Sequence, residues 1–181
     1  MNTAFLHIIP ECFVDTNLVQ IVMQVKGVNH QKGTGAVTRK MQTTFNDAFA
    51  IGIIDLDKEQ SAYSRESQEI AHSRELTLCK HPDSSHYIIK VNNIMEMFIL
   101  HCAEELDIEL SDYGIPSDLE GLKQVTKSKD CLDNPQLRLA LKVVSEASEM
   151  RLLRIVLQYL NEKRYNSKEN ELREIFAQFG F

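Results

Sequence analysis

The stretch "AFAIGIIDLDK", residues 48–58, decides the fold of this chain. Its apolar residues run almost without interruption up to two aspartates, Asp55 and Asp57. A short and nearly continuous apolar run is typical of a central strand in a parallel sheet, where helices cover both faces. The two aspartates would then stand at the carboxyl end of that strand.

The residues before this stretch alternate between strand and helix patterns. The run "FLHII" (5–9) predicts a buried strand, and "TNLVQIVMQVKG" (16–27) predicts a helix capped by Asp15 or Thr16. "VNHQ" (28–31) predicts a second short strand. The glycine turn "KGTG" (32–35) leads into a second predicted helix, "AVTRKMQTTFND" (36–47). This order predicts an α/β fold with a mainly parallel, Rossmann-like sheet flanked by helices.

The remaining sequence predicts a change from strands to helices. Residues 59–75 are polar and predict a loop with a surface helix, whereas "LTLCK" (76–80) and "SHYIIKV" (85–91) predict two further strands. From Asn93 onward the pattern is helical, most strongly in residues 136–163 and 169–179. We therefore expect an α/β unit over residues 1–110 and a helical extension over residues 111–181 packed on it.

Composition limits the classes of protein to consider. The chain has 181 residues, a net charge of -6 and no apolar run of membrane-spanning length, and its first residues lack a basic leader, so we expect a cytoplasmic protein with no membrane partner. The four cysteines are scattered without a CxxC pair, which argues against a disulfide framework and a zinc site. The negative charge argues against bulk adhesion to nucleic acid. Residues 16–46 nevertheless contain no Asp or Glu while holding several cations, which is compatible with a local positive surface or with an ordinary solvated face.

Acidic residues follow the predicted strands where an open α/β sheet binds its ligands, beyond the carboxyl ends. Asp55 and Asp57 are two residues apart, so their carboxylates point to one side and repel each other unless a cation lies between them. Glu11 follows the first strand and would approach from a neighbouring position, with Asp15 one helical turn later. Mg²⁺ prefers such hard oxygen ligands. The pattern predicts a site for Mg²⁺ or Mn²⁺.

Together these features resemble the Toprim domain, the metal-binding catalytic domain of topoisomerases, primases and several nucleases. The resemblance rests on Glu11 after the first strand, on the glycine turn before the second helix, and on the D-x-D of Asp55 and Asp57. The E-x-x-x-D spacing of Glu11 and Asp15 is similar to that of the overcoming-lysogenization-defect nucleases and related phage-defence proteins. Those commonly read "EGxxD", whereas this chain has Cys12 in place of the glycine. The resemblance covers approximately residues 5–106.

The resemblance implies a Mg²⁺-dependent nuclease that hydrolyses phosphodiesters of DNA or RNA, in phage defence or DNA repair. The implied metal ligands are Glu11, Asp15, Asp55, Asp57 and Glu96, the last as the acid on the helix after the D-x-D. The implied catalytic residues are Glu11, which would also move a proton, Asp55, Asp57 and Lys90. Residues placed to meet backbone phosphates are Lys32, Gly33, Gly35, Arg39 and Lys40. A separate ATPase is an implied partner, and the sequence is compatible with a homo-oligomer.

Several other interpretations stay open. The chain could be a Toprim-like interaction module without turnover that docks a partner ATPase. "FVDTNLV" (13–19) also looks like the opening of a PIN nuclease, with Asp15 as its key acid. "IGIIDLDK" (51–58) could open a haloacid-dehalogenase-type enzyme, with Asp55 as nucleophile. Taken singly, Asp15 could be a helix N-cap and Glu96 an exposed helical acid.

Overall fold

The computed structural model describes residues 5–56 and 60–180, which form five strands and eight α-helices. The strands are β1 (Ile8–Pro10), β2 (Ala50–Asp55), β3 (Gln68–His72), β4 (Leu76–Lys80) and β5 (His86–Val91). The helices are α1 (Phe13–Val22), α2 (Thr34–Thr44), α3 (Ala62–Glu66), α4 (Met95–Glu105), α5 (Leu119–Thr126), α6 (Pro135–Val144), α7 (Ser148–Lys163) and α8 (Glu169–Gln178). Short 3₁₀ turns cover Leu110–Tyr113, Lys129–Leu132 and Arg164–Asn166.

The strands form one mixed sheet in the order β1-β2-β5-β4-β3. β1, β2 and β5 are parallel, whereas β4 is antiparallel to both β5 and β3. The predicted α/β class is therefore confirmed, but the sheet is mixed and not mainly parallel. The reason is the short connections 73–75 and 81–85, because connections of this length can join only antiparallel neighbours.

β2 is central to the sheet and is buried on both faces, as its continuous apolar sequence predicts. Ile51 and Ile53 point to the face covered by α1, α4, α6 and α7, and they share one buried cluster with the C-terminal helices. Ile54 points to the other face, where Val37 and Met41 of α2 cover it. The C-terminal helices are thus a layer on one face of the sheet. None of the helices in the described ranges is long and apolar enough to cross a membrane.

The predicted strand at residues 28–31 runs beside β1 without becoming a sixth strand. Asn29 N–H donates to the Ile8 carbonyl at 2.9 Å, and Gln31 N–H donates to the Pro10 carbonyl at 3.0 Å. A parallel ladder needs a return bond from the N–H of residue 10 to the carbonyl of Asn29. Pro10 has no N–H, so half of the ladder cannot form.

Three other expectations are corrected by the structure. α1 begins at Phe13 with Cys12 as its N-cap, so Asp15 is the third helical residue and not the cap. The polar segment 59–75 contains the short helix α3 and an edge strand, β3, because one face of that strand packs under α8 while the other stays exposed. The long helical segment 136–163 is divided between α6 and α7 around Ser145 and Ala147.

Gly52 in the centre of β2 allows α2 to approach the sheet closely. A Cβ atom built on Gly52 would lie 2.8 Å from the Met41 sulfur and 3.1 Å from Val37 Cγ1. We expect Gly52→Val to lower the free energy of unfolding by about 1–3 kcal/mol through overpacking, measured by urea denaturation. Gly35→Ala is the control, because a Cβ there meets nothing within 4 Å. Equal stability of Gly52→Val and the wild type would contradict this close packing.

Candidate metal and phosphate site at the carboxyl edge of the sheet

The carboxyl ends of the three parallel strands lie at one edge of the sheet, and an acid follows or ends each of them. Glu11 follows β1, Asp55 is the last residue of β2, and Glu96 lies in the first turn of α4, which begins shortly after β5. Open α/β sheets bind ligands at this edge. Three of the five predicted metal ligands therefore follow or end the parallel strands at this edge.

The carboxylate of Glu11 links the ends of β1 and β2. Its Oε2 atom accepts hydrogen bonds from Asp55 N–H at 3.0 Å and from the Thr34 hydroxyl at 2.9 Å. The backbone carbonyl of Glu11 also accepts a bond from Gly33 N–H at 3.2 Å. Glu11 is thus held between β1, β2 and the start of α2, and residues 44 positions apart in sequence, Glu11 and Asp55, are in direct contact.

Asp15 is buried beneath this edge. Its carboxylate accepts bonds from the Cys12 N–H at 3.2 Å and from the Cys12 thiol at 3.0 Å, so both oxygens serve the first turn of α1. The pKa of Asp15 is raised to about 7, mainly by burial; the bonds from Cys12 oppose the shift, and the negative charges of Glu11 and Glu96 contribute to it. Asp15 therefore lies close enough to Glu11 and Glu96 to sense both charges.

Glu96 faces the helical layer. Its carboxylate accepts a bond from the Thr126 hydroxyl at 2.5 Å, which connects α4 to the end of α5. Its charge acts on Asp15 and on the Cys131 thiol, whose pKa is raised to about 11 by burial first and by Glu96 second. The side chain of Glu96 is thus engaged by the helical layer, whereas Glu11 and Asp55 lie at the carboxyl ends of β1 and β2.

Asp55 lies on the face of the sheet that α1 covers. Side chains along a strand alternate between the two faces, so Asp55 points to the same face as Ile51 and Ile53. Its backbone carbonyl accepts a bond from the Gln60 side chain at 3.0 Å. Burial is the main cause that raises the pKa of the Cys12 thiol, and the charges of Asp15 and Asp55 add to it. Cys12 therefore contacts Asp15 and lies close enough to Asp55 to sense its charge. The second aspartate of the D-x-D, Asp57, lies outside the described residues.

Lys90 lies on the opposite face of the sheet from Asp55. It is paired with Ile54, one register position before the pair of Asp55 with Val91, so its side chain points to the side of α2 and α3. Its ammonium group donates to the Ser64 carbonyl of α3 at 3.1 Å. The structure does not bring Lys90 to the acids, because adjacent positions of a strand alternate in direction.

The glycine turn reaches the site as the start of α2. Gly33 is the N-cap with φ of 86°, a left-handed conformation that glycine adopts without strain, and its neighbour Thr34 contacts Glu11. Lys32 and Gly35 are exposed beside this helix start. Arg39 and Lys40 lie more than one turn further along α2. The turn therefore brings Gly33 and Thr34 into contact with Glu11; Lys32 and Gly35 are their chain neighbours, and Arg39 and Lys40 lie further along the helix.

Sequence reasoning missed three residues of the site. Thr34 holds the Glu11 carboxylate, and its position between two glycines in "KGTG" was the one available signal. Cys12 caps α1, a role that sequence assigns to Ser, Thr, Asp or Asn in preference to cysteine. Thr126 holds Glu96 from a helix 30 residues away, and nothing in the sequence points to it.

The chemistry of the donors fits a Mg²⁺ ion that keeps most of its water. The Glu11 carboxylate contacts the backbone N–H of Asp55 at the sheet edge, and Mg²⁺ in proteins is commonly held by one or two carboxylates together with waters and a phosphate. Over residues 5–56 and 60–180, no group of three or more His, Cys, Asp or Glu side chains is arranged to hold a metal ion. The described part of the site thus places Glu11 and Asp55 at neighbouring strand ends without forming a closed metal cage.

A scan against protein-family models and searches of curated proteins and of solved structures find no significant match to this chain. The likeness to Toprim domains therefore depends on the residues and their positions alone.

Proposed function

We propose that this protein is a divalent-metal-dependent phosphodiesterase of Toprim type that cleaves the backbone of DNA or RNA. The observation that carries the proposal is the contact of Glu11 with Asp55: Oε2 of Glu11 lies 3.0 Å from the Asp55 amide nitrogen. An acid that follows β1 thereby contacts the backbone of the aspartate that ends β2, at the edge where α/β sheets bind ligands. A role in phage defence or DNA repair follows from the resemblance to the overcoming-lysogenization-defect nucleases.

Glu11 and Asp55 would hold the ion, with Asp57 as the further ligand that the D-x-D pattern predicts. A bound Mg²⁺ ion supplies Lewis-acid stabilisation of the phosphoryl oxygens. Asp15, whose oxygens are engaged by Cys12, and Glu96, which is engaged by Thr126, would support the site from behind.

The residues of the chain have separate tasks in this proposal. Thr34 and the Asp55 N–H bind Oε2 of Glu11 and so orient its carboxylate, which would accept the proton of the attacking water as a general base. The start of α2 presents backbone N–H groups beside Glu11, and helix N-termini favour phosphate groups. Lys32 adds a positive charge there, and such contacts position a nucleic acid without reading its sequence.

The experiment that tests this function is nicking of a supercoiled plasmid, with a parallel single-stranded RNA substrate. We expect the wild type to cleave one of these substrates with Mg²⁺ or Mn²⁺ and to show no cleavage in EDTA. The variant Asp55→Ala should show no cleavage with either metal ion. If neither substrate is cut by the wild type, and calorimetry shows no binding of Mg²⁺ or Mn²⁺, the enzymatic function is wrong.

A second candidate is a Toprim-like module without turnover that works with a partner ATPase. Two observations favour it: the described residues contain no three-ligand metal group, and the helical layer exposes apolar side chains, Leu139 on α6 and Ile155 on α7. A negative outcome in both the cleavage and the metal-binding assays would favour this module over the enzyme.

A further inference from the structure

A cleft of about 500 Å³ opens at the end of α1 far from the acids, and its walls are basic. It is lined by Lys26 after α1, by Arg138 and Lys142 of α6, and by Arg154 of α7, against a single acid, Glu146. The site at Glu11 lies at the opposite, N-terminal end of α1, a ten-residue helix about 15 Å long. The two features are therefore separate.

Neutral partners orient the arginines of this cleft. Arg138 Nη1 donates to the Asn17 side-chain oxygen at 2.7 Å, and Arg154 Nη2 donates to the Ser145 carbonyl at 3.0 Å and its hydroxyl at 3.2 Å. These bonds hold the guanidinium groups in place without neutralising their charge. Within the described part of the chain, the one ion pair made by the four cations is Arg154 with Glu146, at 3.3 Å.

Like charges that line one cleft repel one another, and an anion bound among Lys26, Arg138, Lys142 and Arg154 would reduce that repulsion. The glutamate of the pair is 67% exposed, so it contributes little screening inside the cleft. The Nε atom of Arg154 is buried and has no hydrogen-bond partner among the described residues. The cleft thus combines unneutralised charge with fixed donors.

We propose that this cleft binds a small molecule that carries two or more phosphate groups. Planar guanidinium groups bind phosphate oxygens in pairs, and the ammonium groups of Lys26 and Lys142 add mobile point charges around them. The volume of the cleft lies within the range of about 300–1,000 Å³ that small-molecule sites occupy. This site is independent of the proposed phosphodiesterase site and does not rest on it.

The test is calorimetric titration of the full chain with inorganic pyrophosphate at about 0.15 M ionic strength, where the Debye length is about 8 Å, in EDTA, so that no divalent ion takes part. We expect saturable binding, weaker binding of monophosphate, and at least a tenfold weaker affinity for pyrophosphate in the double variant Lys26→Gln, Lys142→Gln. Both lysines are exposed, so this variant should fold as the wild type does, which thermal unfolding checks.

The matched control is Lys163→Gln with Lys168→Gln, which makes the same change in net charge at the far end of α7 and the start of α8. We expect this control to bind pyrophosphate within about twofold of the wild type, since exposed charges beyond a Debye length are screened. Equal weakening in the control and the cleft variant would show nonspecific attraction and overturn the proposal. An absence of saturable pyrophosphate binding to the wild type would overturn it as well.

Discussion

Glu11→Gln is expected to reduce metal-dependent cleavage by at least about 100-fold while leaving the fold intact. Glutamine keeps a side-chain oxygen for the bonds from Asp55 N–H and from Thr34, so the connection between β1, β2 and α2 persists. The substitution removes the negative charge that the metal ion and the proton transfer both need. Initial rates of plasmid or RNA cleavage measure the effect, and urea unfolding verifies that stability changes by less than about 1 kcal/mol.

Glu120→Gln is the matched control, because Glu120 is 80% exposed on α5 and takes no part in the site. Its cleavage rate should equal that of the wild type. A Glu11→Gln protein that cleaves within about threefold of the wild-type rate would show that Glu11 is a structural link and not a catalytic group.

Asp15→Asn is expected to change how stability depends on pH. The pKa of Asp15 is raised by burial from 3.8 to about 7, so the folded state binds a proton that the unfolded state has released. By linkage, the wild type loses stability as the pH rises from about 4 to about 7, by up to about 4 kcal/mol. Asparagine carries no such proton. The variant should be more stable than the wild type near pH 8, and the difference should shrink toward pH 4.

Urea denaturation in EDTA between about pH 4 and pH 8 measures this dependence without interference from metal ions. Asp47→Asn serves as the control, because Asp47 is exposed at the end of α2, and its pH profile should follow that of the wild type. Parallel pH profiles for Asp15→Asn and the wild type would mean that Asp15 is already ionised in the folded protein at low pH.

The sequence predicted the strands whose apolar pattern reflects their burial in the core. The apolar run before Asp55 became the central strand and "SHYIIKV" became β5, because buried strands leave a nearly continuous apolar signal. "LTLCK" became β4, although the half-buried Thr77 and Lys80 interrupt its apolar residues. β3 was missed because it is an edge strand with a polar exposed face, so its sequence resembles a loop. Whether neighbouring strands run parallel or antiparallel depends on the lengths of the connections between them, and the sequence contains these lengths. The alternation of strands and helices earlier in the chain nevertheless favoured a mainly parallel sheet.

The sequence predicted which site residues lie at strand ends. It did not predict the directions in which their side chains point. Glu11 and Asp55 meet because the carboxyl ends of neighbouring parallel strands share an edge. Lys90, which the resemblance implies as a catalytic residue, lies on the face opposite Asp55, because adjacent positions of a strand alternate in direction and the register could not be read from the sequence. Asp15 faces inward to Cys12 because α1 begins earlier than the sequence predicted.

The central claim is that Glu11 and Asp55 share a divalent ion at the carboxyl edge of the sheet. A crystal of the protein soaked in Mn²⁺ and measured at the manganese absorption edge tests it directly. We expect an anomalous peak within about 2–2.5 Å of a carboxylate oxygen of Glu11 or Asp55. A saturating soak that leaves this edge without a peak would contradict the metal site and, with it, the proposed phosphodiester chemistry.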